Sequence, residues 1–240
     1  MICGLSTSST VASVALFNGD RIVASARNVH QKLHAERLFE LIDECFAAAG
    51  VTRADLSMLA CDVGPGSFTG VRVGVAAATG IAMGLAGMPG SAQVRCVGVH
   101  ALAALTTRSG AEAERTLAAV DGQKGQVFFV QADPSRLPAR YEVQVEERAR
   151  YVEIARAARS AGGVLVGDLH EALGFAEGEF VRGAVDAELI CRFGARVAEG
   201  TGASFGCEGF VASVNPSIAL VPIYGRGADA TLLSDRGARR

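Results

Sequence analysis

Five consecutive hydroxyl-bearing residues, Ser6 to Thr10, lie between the first two predicted strands. Hydroxyl groups donate and accept hydrogen bonds, so a turn of this composition can hold a phosphate group. A divalent cation on that phosphate would need carboxylate oxygens, yet no Asp or Glu precedes Asp20. The hydroxyl run therefore predicts a phosphate contact at most, with no metal ion.

A glycine-rich turn, Gly64 to Gly70, follows a predicted strand and opens a predicted helix. Free backbone N–H groups at such a helix start can bind phosphate. The spacing is G-x-G-x-x-x-G, which differs from the G-x-G-x-x-G of dinucleotide sites, and the next acidic residue after Asp62 is Glu112. The chain also has no G-K-[ST], the end of a P-loop. A structural turn is therefore favoured over dinucleotide binding.

Two further patterns could carry chemistry. His30 and His34 are four residues apart and could share a helix face as metal ligands, but the segment has no H-E-x-x-H and no third ligand nearby. Asp121, with Gly122 and Gly125, is the only other segment that resembles a phosphate loop, and a simple turn is favoured there. The sequence thus predicts no catalytic residue, no cofactor and no metal site.

The glycine turn must be held by the elements on either side of it, a strand at residues 57–63 and a helix at residues 70–86. Between Arg72 and Arg95 no residue is ionisable, so this helix has no ordinary solvated face. Its uncharged part, residues 73–86, is shorter than the ~20 residues that cross a bilayer. We therefore predict no membrane span but a helix buried by its own sheet, either alone or together with another subunit.

Four glycines in this helix form two pairs, Gly70/Gly74 and Gly80/Gly84, and each pair shares one face. A glycine inside a helix costs about 1 kcal/mol relative to alanine. Close approach of another helix is the expected compensation.

Residues 33–49 form the clearest amphipathic helix of the chain. Its apolar residues recur at the spacing of a single helical stripe, namely Leu38, Leu41, Ile42, Cys45 and Phe46. Gly50 is placed to end the helix.

The remaining elements alternate in a way that implies mixed sheets with helical crossovers. Strands are predicted at residues 2–7, 11–17, 21–27, 94–99, 117–121, 126–131, 141–145, 164–166 and 218–224. Helices are predicted at 100–107, 149–161 and 187–198, a loop at 201–215 and a polar tail at 225–240. Two α/β lobes, residues 1–105 and 106–240, are the expected organisation.

Composition narrows the class of protein. Half of the 240 residues are hydrophobic and the formal net charge is −2, which predicts a folded chain without broad attraction to nucleic acid or anionic membrane. The six cysteines form no C-x-x-C pair and are expected to be reduced core residues. The N-terminus lacks the pattern of a secretory signal, so a cytoplasmic location is predicted.

The segment GPGSFTGVRVG, Gly64 to Gly74, with the small-residue helix after it, closely resembles the signature of the TsaB (YeaZ) family. Further matches are SVAL from Ser13, HAERLFELI from His34, LAAVD from Leu117 with GQV from Gly125, and PIY from Pro222 with Arg226. The resemblance covers nearly the whole chain and is strongest up to residue 105.

The resemblance implies an actin-like, Hsp70-like two-lobed α/β fold. It also implies a non-catalytic role in making N6-threonylcarbamoyladenosine at position 37 of tRNA. In this family the protein pairs with the catalytic subunit TsaD, is joined by the ATPase TsaE, forms a homodimer when alone, and meets tRNA only through the complex. Carried onto this chain, the interface helices are residues 33–49 and 70–86. The expected contact residues are Leu38, Leu41, Cys45, Gly70, Arg72, Val73, Gly74, Ala77, Ala78 and Ile81.

The chain departs from the family at Ser6, where an I-D-T pattern often supplies Asp. Loss of that carboxylate weakens the case for ATP chemistry and leaves the scaffold role intact. Two rival functions stay open at this point: an ATP-dependent kinase or hydrolase with its site between the lobes, and an oxidoreductase that binds NAD(P) at the Gly64 turn.

Overall fold

The structure is a computed structural model that describes residues 1–28, 34–86, 94–110, 115–132, 143–198, 211–212, 220 and 222. Eleven strands are described: β1 (Ile2–Ser6), β2 (Ala12–Phe17), β3 (Ile22–Asn28), β4 (Met58–Asp62), β5 (Arg95–Val99), β6 (Thr116–Gln123), β7 (Gln126–Ala132), β8 (Gln144–Glu147), β9 (Val164–Val166), β10 (Phe180–Val181) and β11 (Val211–Ala212). Six α-helices are described: α1 (His34–Ala49), α2 (Phe68–Ala86), α3 (Ala101–Thr106), α4 (Arg148–Ser160), α5 (Leu169–Ala172) and α6 (Ala187–Ala198). Two short 3-10 helices lie at Arg53–Asp55 and Thr107–Ser109.

The first sheet has the strand order β11-β5-β4-β1-β2-β3. Strands β1, β2 and β3 pair antiparallel, whereas β4 pairs parallel with both β1 and β5. The turn between β2 and β3 is closed by Asn18, whose Oδ1 accepts the backbone N–H of Asp20 and of Arg21. The parallel pairs require crossovers, which α1 and α2 provide.

Helices cover both faces of the first sheet. On one face α1 and α2 pack against Leu5, Val14, Leu59 and Cys61. On the other face α6 packs against β1, β2, β4 and β5. Successive residues of β4 point to opposite faces, which explains why the whole strand is buried.

The second sheet has the order β10-β9-β6-β7-β8. Strands β6 and β7 form a hairpin whose turn holds Gln123, Lys124 and Gly125 at positive φ. Helix α4 packs against β7, β8 and β9, and Tyr151 in its first turn is fully buried. Helix α3 joins the two sheets, since its residues share one apolar cluster with β6 and with α6.

The structure confirms most of the predicted elements and corrects others. Helix α5 and strand β10 were not predicted, because segments of four and two residues are too short for a periodic pattern. The predicted loop at 201–215 is wrong at Val211–Ala212, which pair antiparallel with β5. The strand predicted at 141–145 lies later, at Gln144–Glu147. Most of the predicted strand 218–224 and the whole tail lie outside the described residues.

The predicted division at residue 105 stays a prediction. Helix α6 and strand β11 follow that boundary in the chain, yet both contact the first sheet. The second sheet, by contrast, is built only from residues after the boundary.

Two of the four helix glycines are explained by close approach, although not to a helix. A Cβ on Gly70 would overlap the backbone carbonyl oxygen of Thr7, and one on Gly74 would lie 2.5 Å from the Thr7 Oγ1. Gly80 and Gly84 have open space within 4 Å of the Cβ position. Only the first pair is therefore needed for the packing that the structure describes.

We expect Gly70→Ala to destabilise the fold, because the added methyl group collides with main chain that cannot rotate away. Gly80→Ala is the matched control, for which a gain of about 1 kcal/mol is expected from helix propensity alone. Urea unfolding of both variants measures the difference. Equal stability of the two variants would contradict the close approach at Thr7.

Candidate functional site

A cleft of about 360 Å³ opens between the two sheets. The first sheet contributes the loop after β1 and the residue before α2, and the second sheet contributes its hairpin and the start of α5. The lining residues are Ser8, Ser9, Thr10, Ser67, Val120, Asp121, Gln123, Lys124, Arg148, Asp168 and Val185. The structure thus brings together the predicted hydroxyl run and the predicted Asp121 hairpin, which are more than 100 residues apart in sequence.

A buried carboxylate organises the hydroxyl side of this cleft. Asp62, at the end of β4, is fully buried and accepts hydrogen bonds from the hydroxyls of Ser6 (2.9 Å) and Ser8, and from the N–H of Gly64 (2.9 Å). Burial raises the pKa of this carboxyl, while the hydrogen bonds oppose that effect. Its oxygens point to the loop, so Asp62 holds the loop in place.

Sequence reasoning missed this role of Asp62. The sequence was searched for an acidic residue before Asp20 that could bind a metal ion and for one after the glycine turn that could bind a ribose. Asp62, at the end of the strand, was not considered for either role. An acidic residue at the carboxyl end of a central parallel strand is a usable signal, since that edge is where ligands and loops meet in α/β sheets.

The same loop is attached to the start of α2. The Ser67 N–H donates to the Ser8 carbonyl oxygen (2.7 Å), and the Thr7 hydroxyl donates to the Gly70 carbonyl oxygen (2.7 Å). Ser67 also accepts the N–H of Gly70 through its hydroxyl, which makes it the residue that caps the helix. The cleft and α2 therefore share one rigid connection.

The opposite side of the cleft carries both signs of charge. Arg148 lies 3.3 Å from Asp121, whose Oδ1 also accepts the N–H of Gln123 (2.9 Å). Burial raises the pKa of the Asp168 carboxyl, and the Asp121 charge adds to that effect. Asp121 thus accepts a turn hydrogen bond and pairs with Arg148, which agrees with the simple turn that the sequence favours there.

The histidines do not form a hydrolytic site in the described structure. His100 caps α3, with Nδ1 accepting the N–H of Ala103 (3.2 Å). His170 is buried against Tyr151, whose hydroxyl lies 2.7 Å from Nε2. His30 and the side chain of His34 lie outside the described residues, so the predicted pair is not tested.

Metal-binding side chains are scattered over the part of the chain that the structure describes, where no three of His, Cys, Asp and Glu converge. The five described cysteines are free and buried, as predicted, and are Cys3, Cys45, Cys61, Cys96 and Cys191. Burial raises the pKa of each of these thiols, which keeps them protonated and unreactive.

The second candidate site is the surface of α1 and α2, and here the predicted contact residues divide. Three of the predicted residues lie on the inner side of α1 and are buried in the core of the first sheet: Leu38, Leu41 and Cys45. They are corrected from surface to core positions, because the apolar stripe of α1 faces its own sheet. The exposed side of α1 carries instead Phe39, Glu40, Asp43 and Glu44.

The predicted residues of α2 divide in the same way. Four of them are buried against the chain's own strands and loop: Gly70, Gly74, Ala77 and Ala78. Two are half-buried, Val73 and Ile81, and Arg72 is exposed. The α2 face is defined here as the exposed residues Arg72, Ala76, Gly80 and Met83 with the half-buried Thr79. It is uncharged apart from Arg72, and Met83 is 59% exposed.

Helix α2 is 19 residues long and begins two residues before the predicted helix of residues 70–86. By length and composition alone it could cross a membrane. Its buried side nevertheless packs against β1, β4 and β5. The helix is thus a core helix of the first sheet with one side open.

A family model and two curated proteins are similar to part of this chain. A family model described as "TsaD: tRNA N6-adenosine threonylcarbamoyltransferase" matches residues 22–159. The "tRNA threonylcarbamoyladenosine biosynthesis protein TsaB" of Escherichia coli (strain K12) is 33% identical over 138 residues, which are 54% of this chain and 54% of the relative. The protein of the same name from Haemophilus influenzae is 33% identical over 133 residues, 54% of this chain and 52% of its own length. The chain therefore spans about half the length of the curated relatives it matches.

Two solved structures share the fold. The first, described as an uncharacterized protein with similarity to peptidase YEAZ from Pseudomonas aeruginosa, has a TM-score of 0.66 and 25% identity, with 94% of this chain and 99% of the other covered. YeaZ from Pseudomonas aeruginosa has a TM-score of 0.63 and 24% identity, with 93% and 98% covered. Together with the two mixed sheets, these matches confirm the predicted actin-like fold.

We expect the protonation of His100 to lower the free energy of unfolding as the pH is lowered from 7 to 4.5. Burial lowers the pKa of His100 from 6.5 to about 4. Below pH 6.5 the unfolded chain therefore binds a proton at this residue before the folded chain does, and the free energy of unfolding falls. The His100→Asn variant keeps an N-cap acceptor. Between pH 7 and pH 4.5 its free energy of unfolding should fall by about 2 kcal/mol less than that of the parent chain. Parallel losses in urea unfolding would contradict the burial of a neutral His100.

Proposed function

Because the chain belongs to the family described as tRNA N6-adenosine threonylcarbamoyltransferase, and within it to the TsaB (YeaZ) proteins, we propose that it acts in tRNA threonylcarbamoyladenosine biosynthesis. We propose further that it is a non-catalytic scaffold, which binds and activates the catalytic subunit TsaD in the cytoplasm. TsaE joins this pair, tRNA is met only through the complex, and the chain forms a homodimer when it is alone.

The observation that carries the proposal is the α2 face. Monomeric surfaces seldom expose long uncharged helix faces, and those that do usually bind another protein. Two exposed aromatic side chains extend the surface, Phe68 (47% exposed) at the start of α2 and Phe39 (53%) on α1. A partner would bury these rings together with Met83.

The glycines of α2 support helix–helix docking. Gly80 and Gly84 meet no atom within 4 Å of a Cβ position, so packing within the described chain does not explain them. Each costs helix stability, and small residues spaced by four let a second helix approach closely. Two helices from each subunit would then form a four-helix contact.

The proposed docking surface is tested by placing a charge where nothing within the chain is disturbed. Ala76→Glu and Met83→Glu should abolish binding to TsaD, because a carboxylate would be buried without a partner. Both side chains are exposed, so thermal unfolding of the isolated variants should match the parent chain. Size-exclusion chromatography and calorimetry with purified TsaD measure the binding.

The matched control is Ala157→Glu, an exposed alanine on α4 of the second sheet. It should bind TsaD as the parent chain does. If Ala76→Glu and Met83→Glu also bind unchanged, the docking surface is wrong. If the parent chain binds no TsaD at all, the scaffold role is wrong.

The cleft favours one alternative function, an active ATP-dependent kinase or hydrolase. Its hydroxyl loop faces Lys124 and Arg148 across the cavity, and positive side chains suit phosphate. Against this, Asp62 is enclosed by its own hydrogen bonds and Arg148 is paired with Asp121.

Calorimetry with Mg-ATP on the isolated chain separates the two functions. The scaffold role predicts no binding in the micromolar range. Micromolar binding that is lost in Lys124→Ala and in Ser9→Ala, with the fold unchanged, would favour the alternative. Lys124 is exposed on the hairpin turn, and thermal unfolding of both variants checks that the fold is unchanged.

A further inference from the structure

Arg72 is the single charged residue of the α2 face and lies at its N-terminal end. It is exposed on α2, and no other ionisable residue occurs from residue 63 to residue 94. The structure records no ion pair between Arg72 and any described residue. A docking partner that covers the α2 face must therefore also cover or border a guanidinium group.

The Arg72 side chain is held in position before any partner arrives. Its guanidinium carbon lies 5.2 Å from the centre of the Phe68 ring, one helical turn earlier. Stacking of this kind holds an arginine by its face and leaves its N–H edge available for hydrogen bonds. The planar edge matches a carboxylate with two parallel hydrogen bonds.

The described carboxylates of α1 are paired within the chain. On α1, Arg37 pairs with Glu40 at 2.9 Å and with Glu44 at 3.5 Å. Asp43 pairs with Arg53. A second copy of this chain would thus offer Arg72 no carboxylate on α2, because α2 has no acidic residue. The described carboxylates on its α1 are already paired with arginines.

We propose that Arg72 selects the partner subunit by pairing with a carboxylate on the TsaD helix that covers the α2 face. The inference rests on the proposed function and names the chemistry of the partner's surface. A guanidinium that becomes desolvated without a counter-charge is costly, so Arg72 favours an acidic partner helix and disfavours self-association. Arg72 would therefore select between partners in two ways, by pairing with an acidic helix and by being costly to bury against a second copy of the chain.

The test is Arg72→Gln, which keeps a hydrogen-bonding side chain and removes the charge. The dissociation constant for TsaD should rise at least about tenfold, and its dependence on salt concentration should flatten. The homodimer, measured by analytical ultracentrifugation, should become tighter. These opposite effects would not arise from loss of packing alone.

Arg156→Gln is the matched control for net charge, because Arg156 is exposed on α4 and has no recorded ion pair. It should change neither dissociation constant. The inference is overturned if Arg72→Gln leaves the affinity for TsaD and its salt dependence unchanged, or if it weakens the heterodimer and the homodimer equally. Met83→Glu separates this failure from failure of the proposed function, since it should abolish TsaD binding whatever the role of Arg72.

Discussion

The contact between the loop after β1 and the first turn of α2 is the constraint on which the rest of the structure depends. Thr7 and Ser8 take up the space that side chains at Gly66, Gly70 and Gly74 would need, and their main-chain and hydroxyl groups bond to the same turn. The buried Asp62 fixes this loop from below. Because the helix start cannot shift, the direction of α2 and the side that it exposes are set by the sheet.

One helix is thereby divided between two tasks. Its inner side is packed as tightly as a core requires, while its outer side carries small residues, one methionine and one arginine. Close packing inside requires small residues for steric reasons, and the apolar outer side is the surface where we propose that a partner docks. At the cleft, by contrast, Asp62 is engaged by hydrogen bonds from its own loop and Arg148 is paired with Asp121.

The sequence predicts most elements of the fold because their patterns are local. The stripe of α1 and the charge-free run of α2 are visible within 20 residues, and so is the Asn18 turn. What it cannot predict is which surface covers an apolar position. Leu41 and Ala78 have the residue types of a partner contact, yet their own sheet covers them. Asp62 was missed because its hydrogen bonds to Ser6 and Ser8 span more than 50 positions.

Helix α6 has a consequence for how the chain is made. It covers a whole face of the first sheet, although its residues leave the ribosome long after the strands that they protect. A nascent chain that ends before residue 187 would expose the apolar residues of β1, β2 and β4 on that side, which is the condition under which chaperones bind and incomplete chains aggregate. The first sheet is therefore covered on both faces only after α6 has been synthesised.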